Sequence, residues 1–241
     1  PLTQLHFPTL PSRDFEGRTG AGDFADSMVE MDHRVGQVVD ALEAEGLSSS
    51  TLVIFASDNG PEFRRPWRGT AGPWTGTYHT AMEGGLRAPL IFRWPGRIAP
   101  SATNEMAHVT DLFTTLAGIA GAPIPDDRAI DGLDLSRFLL GEADRSPREG
   151  FLFYIKDQLR AIKWRNWKLH MIWETEPNSG TVHLEVPYLF NVVQDPKEET
   201  DVNATQGWVR GPMRQMARAF EMSLSRHPRV PPGAPDDWTP A

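Results

Sequence analysis

The sequence predicts an α/β protein: a mostly parallel sheet with flanking helices, followed by a smaller α+β domain built on a four-stranded antiparallel sheet. Three observations carry this. First, Leu52-Val53-Ile54-Phe55-Ala56 is an uninterrupted apolar run of strand length that stops at Ser57-Asp58-Asn59-Gly60, the pattern of a strand buried on both faces of a parallel sheet. Second, the stretch before it recurs apolar at three- and four-residue steps, and helix followed by strand is the αβ half of a βαβ unit. Third, after the polar linker Gly141–Gly150 the pattern shortens to that of strands.

Taken in order, Leu5 and Phe7 flank His6 at a strand end or loop edge, and Thr9–Arg13 is loop, because Pro8 and Pro11 enforce extended chain there. Asp23 is placed to cap a helix whose apolar positions are Phe24, Met28, Met31, Val35, Val38, Val39 and Leu42, with Gly46 as its stop. Its polar residues Asp26, Glu30, Asp32 and His33 are expected on a solvated face. Pro61–Thr77 is a long loop rich in Gly, Pro, Trp and Arg, which by its length is functional or disordered and by its prolines and tryptophans is ordered. Pro89–Phe92 is the next strand, ended by the Trp94-Pro95-Gly96 turn. A helix runs from Ala107 to Gly118 with Asp111 in its first turn, and a loop from Gly121 to Asp134. Phe151–Ile155, Leu159–Trp164, Trp167–Ile172 and Tyr188–Val192 form the small sheet, with Arg165-Asn166 as a hairpin turn. Met213–Arg226 is an amphipathic helix over it, and the tail from Pro228 is expected to be loose.

Composition narrows the function. With 241 residues and 39% apolar content the chain can bury a sizeable core. Its net charge of −8, with 24 Lys and Arg scattered along the chain, leaves no footprint for nucleic acid. No apolar run approaches the ~20 residues of a membrane span, and no targeting signal is visible. The abrupt start at Pro1 reads as the interior of a longer protein. With no cysteine, disulfides and thiolate metal sites are excluded, and neither compartment nor oligomeric state is set.

At the carboxyl end of a strand in an open α/β sheet, a carboxylate and an amide stand where ligands bind. Asp58 and Asn59 offer hard oxygens, suited to Ca²⁺ or Mg²⁺. The same four letters also make an ordinary Asp-Asn-Gly turn.

The longer pattern goes further. Ser57-Asp58-Asn59-Gly60-Pro61-Glu62, then Arg68-Gly69, then Glu83-Gly84-Gly85-Leu86-Arg87-Ala88-Pro89 leading into Phe92-Arg93-Trp94-Pro95-Gly96, resembles the second half of the sulfatase signature. That family belongs to the alkaline-phosphatase-like hydrolases. The resemblance runs in fragments from Pro1 to about Pro196. It implies that Asp58 and Asn59 are two ligands of a catalytic calcium and that His6 contacts the sulfate or protonates the leaving oxygen, work suited to a group titrating near neutrality. It also implies that the nucleophile, a formylglycine made from cysteine, lies upstream. Thr9-Leu10-Pro11-Ser12-Arg13 mimics the spacing of the family's C-x-P-S-R motif with Thr for Cys, but stands downstream of the nucleophile's place and is a coincidental loop.

One departure stands out. Many sulfatases carry a sulfate-holding lysine about five residues before the E-G-G-x-R-x-P glutamate, and this chain has no lysine between Thr51 and Lys156. Tyr78 and His79 occupy the place. Both donate hydrogen bonds, and His79, which can also carry charge, is the preferred candidate. The competing expectation is that His79 pairs with Glu83 one helical turn on. Glu83 itself is expected to be structural, Arg87 to tether the following strand, and His108 to match a structural histidine of the family. Asp131-Gly132-Leu133-Asp134-Leu135 resembles the close of the large sulfatase domain, and Leu189-Phe190-Asn191 with Asp195-Pro196-Lys197-Glu198-Glu199 the close of the C-terminal domain.

Residues 1–146 are thus expected to be the C-terminal half of a sulfatase catalytic domain and 147–241 a small C-terminal α+β domain. The implied reaction is calcium-dependent hydrolysis of a small-molecule sulfate ester, with this chain inactive by itself. A phosphonate monoester or phosphodiester hydrolase of the same superfamily, or a non-catalytic interaction module, are the alternatives.

Overall fold

The computed structural model describes residues 2–62, 64–65, 69–231 and 233–235. Arg68 of the signature, with Trp67 in the long loop, lies outside the described residues. The chain forms two compact units: one of residues 1–103, 173–182 and 196–198, the other of 104–172, 183–195 and 199–241.

In the first unit, helix α1 (Asp23–Ala44) ends where Gly46, at φ 67°, lets the Leu47 N–H reach back to the Leu42 carbonyl at 2.8 Å. A turn of 3-10 helix at Ser48–Ser50 leads into strand β1 (Val53–Ala56), which pairs with β2 (Leu90–Arg93). The two strands run antiparallel, with Val53 opposite Arg93 and Ala56 opposite Leu90, where the sequence reading expected parallel neighbours. The reason lies in their connection. It contains a long loop and a single helical turn, α2 (Glu83–Leu86), with no crossover helix to carry the chain back to the starting edge.

The expected solvated face of α1 is also corrected. Asp26 and Glu30 are buried, at 2% and 5% exposure, because they satisfy a loop folded over the helix. Asp26 accepts the Gly17 and Thr19 N–H groups and the Thr19 hydroxyl at 2.6–2.8 Å, and Glu30 accepts the Ser12 N–H at 2.7 Å and pairs with Arg34. Both carboxyls are held below the ordinary carboxylate range, Asp26 chiefly by the Thr19 hydroxyl and Glu30 chiefly by the Ser12 N–H. Asp32 and His33 do remain exposed.

The second unit holds helices α3 (Asp111–Ala120) and α4 (Ser136–Leu139), then the sheet β3 (Gly150–Ile155), β4 (Gln158–Trp164), β5 (Trp167–Trp173) and β6 (Val182–Asn191) in that spatial order. The first two hairpins close on the two-residue turns Lys156-Asp157 and Arg165-Asn166, with Lys156 and Arg165 at positive φ. Strand β6 starts six residues earlier than expected, taking in the largely exposed alternation Val182-His183-Leu184-Glu185-Val186. Helix α5 (Arg210–Arg226) covers the sheet. Ile162, Leu169, Leu189, Val209 and Met213 form the core, ringed by Leu152, Trp164, Trp167 and Val202. In this unit Asp111 is fully buried and takes both Arg148 guanidinium donors as well as the Leu133 and His108 N–H groups.

Candidate active site

The strand β1 delivers Ser57-Asp58-Asn59-Gly60 at its carboxyl end, where Asp58 is exposed and Asn59 half-buried. The turn is fixed from behind by backbone. The Ser57 N–H donates to the Pro89 carbonyl at 3.1 Å and the Gly60 N–H to the Gly85 carbonyl at 2.9 Å. This requires glycine: a Cβ on Gly60 would lie 1.9 Å from the Gly84 carbonyl oxygen, and one on Gly84 2.5 Å from the Gly76 oxygen. The Gly-Gly pair of the signature is a pair of backbone-to-backbone contacts supporting the turn.

The same rib carries Tyr78 and His79. The Tyr78 N–H donates to the Pro61 carbonyl at 3.2 Å, and the Gly84 N–H to the Thr75 carbonyl at 2.7 Å, so the 75–79 segment is bound both to the residues after Asn59 and to the Gly-Gly pair. His79 sits at φ 64°, an uncommon conformation for a residue with a Cβ. Its ring packs against Tyr78 at 4.4 Å between centroids. The one-turn spacing on which a pairing with Glu83 rested is not realised. Residues 79–82 are not helical, Glu83 begins α2, and its Oε2 is taken by Arg87 at 2.8 Å.

Glu83 is buried at 1% exposure, as its structural reading requires, and Arg87 in turn lies over Trp74 at 4.4 Å. Sequence reasoning left one support without a role. Glu198, at φ 59° and 2% exposure, accepts the Glu83 N–H at 2.8 Å, placing a carboxylate at the start of α2. Its signal was the Asp-Pro-x-Glu run of the C-terminal close. His6 is exposed, with Nδ1 2.7 Å from the Phe7 carbonyl oxygen, and the neighbouring Phe7 ring lies under the Arg64 guanidinium at 3.9 Å. Thr9 lies outside any helix or strand, as the loop reading expects, and is fully buried. Backbone bonds of their neighbours thus tie the Asp58-Asn59 turn and the His79 segment into one rib, while the bonds described for His6 run to Thr3 and Phe7.

Asp58 and Asn59 suit a hard cation as part of a larger ligand set. The Asn59 amide nitrogen donates to the Gly60 carbonyl at 2.8 Å, which leaves the side-chain oxygen as its free end, and Asp58 adds a carboxylate. Among the described residues no group of three His, Asp or Glu side chains gathers that could hold a metal. His108 lies in the second unit, stacked on Phe151 at 4.1 Å and bonded to Thr110, with its pKa lowered by burial and by Arg148. No helix among the described residues is long and apolar enough to cross a membrane.

Comparison with known proteins bears on this arrangement. The sulfatase family model matches residues 5–122, and the model for the C-terminal region of aryl-sulfatase matches residues 146–232. The chain belongs to the sulfatase family. Human arylsulfatase A is 37% identical over 234 residues, covering 90% of this chain and 45% of that protein. Human steryl-sulfatase is 30% identical over 269 residues, covering 99% and 46%. The sulfatase PsFucS1 from Pseudoalteromonas sp. superposes with a TM-score of 0.84 at 28% identity, over 92% of this chain and 47% of that one. The chain spans about half the length of these sulfatases, and the glycine-supported turn and the His79 segment both fall within the first matched region.

Proposed function

We propose that this chain supplies the C-terminal half of a sulfuric ester hydrolase of the arylsulfatase kind. The observation that carries the reading is the rib holding Asp58, Asn59 and His79 in one hydrogen-bonded unit, in a chain whose relatives include arylsulfatase A and steryl-sulfatase. Asp58 and Asn59 would hold a calcium ion together with ligands supplied upstream. When bound, that ion supplies positive charge to the oxygens of the transferring sulfuryl group.

The remaining steps belong to this chain's own groups. His79 donates a hydrogen bond to a sulfate oxygen from the place where many sulfatases use lysine, and its fixed backbone keeps the ring in position as negative charge develops. His6 contacts the sulfate or gives a proton to the departing ester oxygen. Neither attacks sulfur. That role falls to a formylglycine upstream, because this chain has no cysteine from which to make one.

The test is turnover by the full-length enzyme on an aryl sulfate and on an aryl phosphodiester, before and after chelation of calcium. The reading expects preference for the sulfate, loss of rate on chelation with recovery on adding calcium, and no turnover by the 241-residue chain alone. A preference for the phosphodiester would assign the phosphonate and phosphodiester branch instead. Turnover by the isolated chain, lost on His6→Ala, would overturn the division of labour.

A further inference from the structure

Helix α5 turns one face to the sheet and the other away from it. Met213, Ala217 and Phe220 turn inward, Met213 into the core and Phe220 against Tyr154 at 5.6 Å between ring centroids. Arg214 and Arg218, four residues apart, stand exposed on the opposite side with Met222, and Arg210 leads the same row half-buried. At 1.5 Å rise per residue this row covers roughly 12 Å. Glu221, the single acidic residue of the helix, lies three residues past Arg218 on the same side, so this face sets three arginines against one carboxylate in a chain of net charge −8. Among the described residues Arg214 and Arg218 have no ion pair or hydrogen bond from their guanidinium groups. Read along the sequence, these arginines look scattered; helical spacing makes them a stripe.

At the head of the stripe stands Trp208, 62% exposed. It is not a loose side chain. Its indole N–H donates to Gln206 Oε1 at 3.0 Å, and its ring sits edge-on to Trp164 and Trp167, at 6.3 and 6.2 Å between centroids. The next residue, Val209, is fully buried and anchors the segment in the core. An exposed indole held in one orientation offers a flat apolar face, and the arginines beyond it offer planar forks that match oxyanions.

We propose that Trp208 with the Arg210–Arg214–Arg218 row is a docking surface for a sulfated polysaccharide. A pyranose ring stacks on the indole while the sulfates of the following sugars pair with the arginines. Positive charge concentrated on one helix face in an acidic chain selects an anionic partner by charge complementarity. The aromatic platform distinguishes a ring-bearing chain from a simple anion. The choice of sulfate as the anion rests on the sulfuric ester hydrolase reading, to which this surface would add retention of a polymeric substrate.

Binding is measured directly on the full-length protein, without turnover, so its failure is separate from failure of the catalytic reading. The probes are chondroitin sulfate, unsulfated chondroitin and a single-stranded thymidine oligonucleotide, each titrated at several salt concentrations. Chondroitin sulfate should bind best, with an affinity that falls as salt rises. The double variant Arg214→Ser with Arg218→Ser, exposed and expected to leave the melting temperature unchanged, should lose roughly tenfold or more in affinity and show a shallower salt dependence. Trp208→Ala should lose about tenfold, and Trp208→Phe should keep part of that. No binding of chondroitin sulfate, or binding unaffected by the arginine variant, overturns the proposal. Equal affinity for the oligonucleotide with the same residue dependence shows a general polyanion surface and also overturns it. Self-association abolished by the arginine variant would assign the stripe to a second copy of the chain instead.

Discussion

The two units are held together by different means. In the second, a four-stranded sheet and α5 enclose a continuous apolar core, and side-chain volume does most of the work. In the first, the candidate site is held by main chain pressed against main chain, at Gly60 on Gly84 and Gly84 on Gly76, with Glu198 taking the Glu83 N–H, while elsewhere in the unit Asp26 and Glu30 gather loop N–H groups over α1. Packed side chains tolerate small adjustments of volume. Backbone contacts at 2–3 Å of an absent Cβ do not, and a rigid rib is what a site needs if it is to hold charges in place before the reaction begins.

The largest effect on stability is expected in the second unit. Arg148 is 8% exposed and Asp111 0%, and Arg148→Ala would leave a buried carboxylate short of its charged partner. Unfolding followed by denaturant should show a loss of about 3–5 kcal/mol. A loss below 1 kcal/mol would mean that the Leu133 and His108 N–H groups suffice to hold Asp111. In the first unit the corresponding large effect is on rate. In the full-length enzyme, His79→Ala should lower kcat and kcat/KM together by roughly 10²–10³, as for loss of one hydrogen-bond donor to a developing anion, and His79→Lys should restore part of it. Unchanged kinetics with a lower melting temperature would make His79 a fold residue. Next comes Gly60→Ala, expected to destabilise by at least about 1 kcal/mol through the clash with the Gly84 carbonyl. A neutral Gly60→Ala would remove the contrast between the units.

Legibility in the sequence follows the same divide. The strands β3 to β5 and helix α5 were readable because Phe151 to Trp173 alternates with short turns and Met213, Ala217 and Phe220 recur at helical steps. The Asp58-Asn59 turn was readable as the end of an apolar strand, and His79 as the occupant of a lysine's place. The burial of Asp26 and Glu30 was not, since a carboxylate on a helix looks solvated until the loop that covers it is known. Nor was the antiparallel pairing of β1 with β2, because an apolar run carries no direction. Glu198 could be seen only as one letter of a closing motif, its partner lying 115 positions away.

The smallest effect is on pH dependence, and it should differ between the units. His108, whose burial lowers its pKa from the ordinary 6.5, favours its neutral form when folded. Its contribution is therefore present above about pH 6.5 and is lost as pH falls from there toward the folded value. Asp26 and Glu30, also lowered, act from ordinary values of 3.8 and 4.5, so the first unit should keep their contribution until pH falls below about 4. Hydrogen exchange between pH 7 and 4 should find the second unit loosening first, and His108→Gln should remove that difference. Simultaneous loosening would assign acid sensitivity elsewhere.

The most direct measurement is bound calcium and aryl sulfate turnover in full-length enzyme carrying Asp58→Ala. Loss of the bound ion together with turnover lower by at least about 10³, in a protein that keeps its melting profile without calcium, is the expected result for a carboxylate that holds the catalytic cation. Full activity with one equivalent of calcium still bound would show that Ser57-Asp58-Asn59-Gly60 is an ordinary turn.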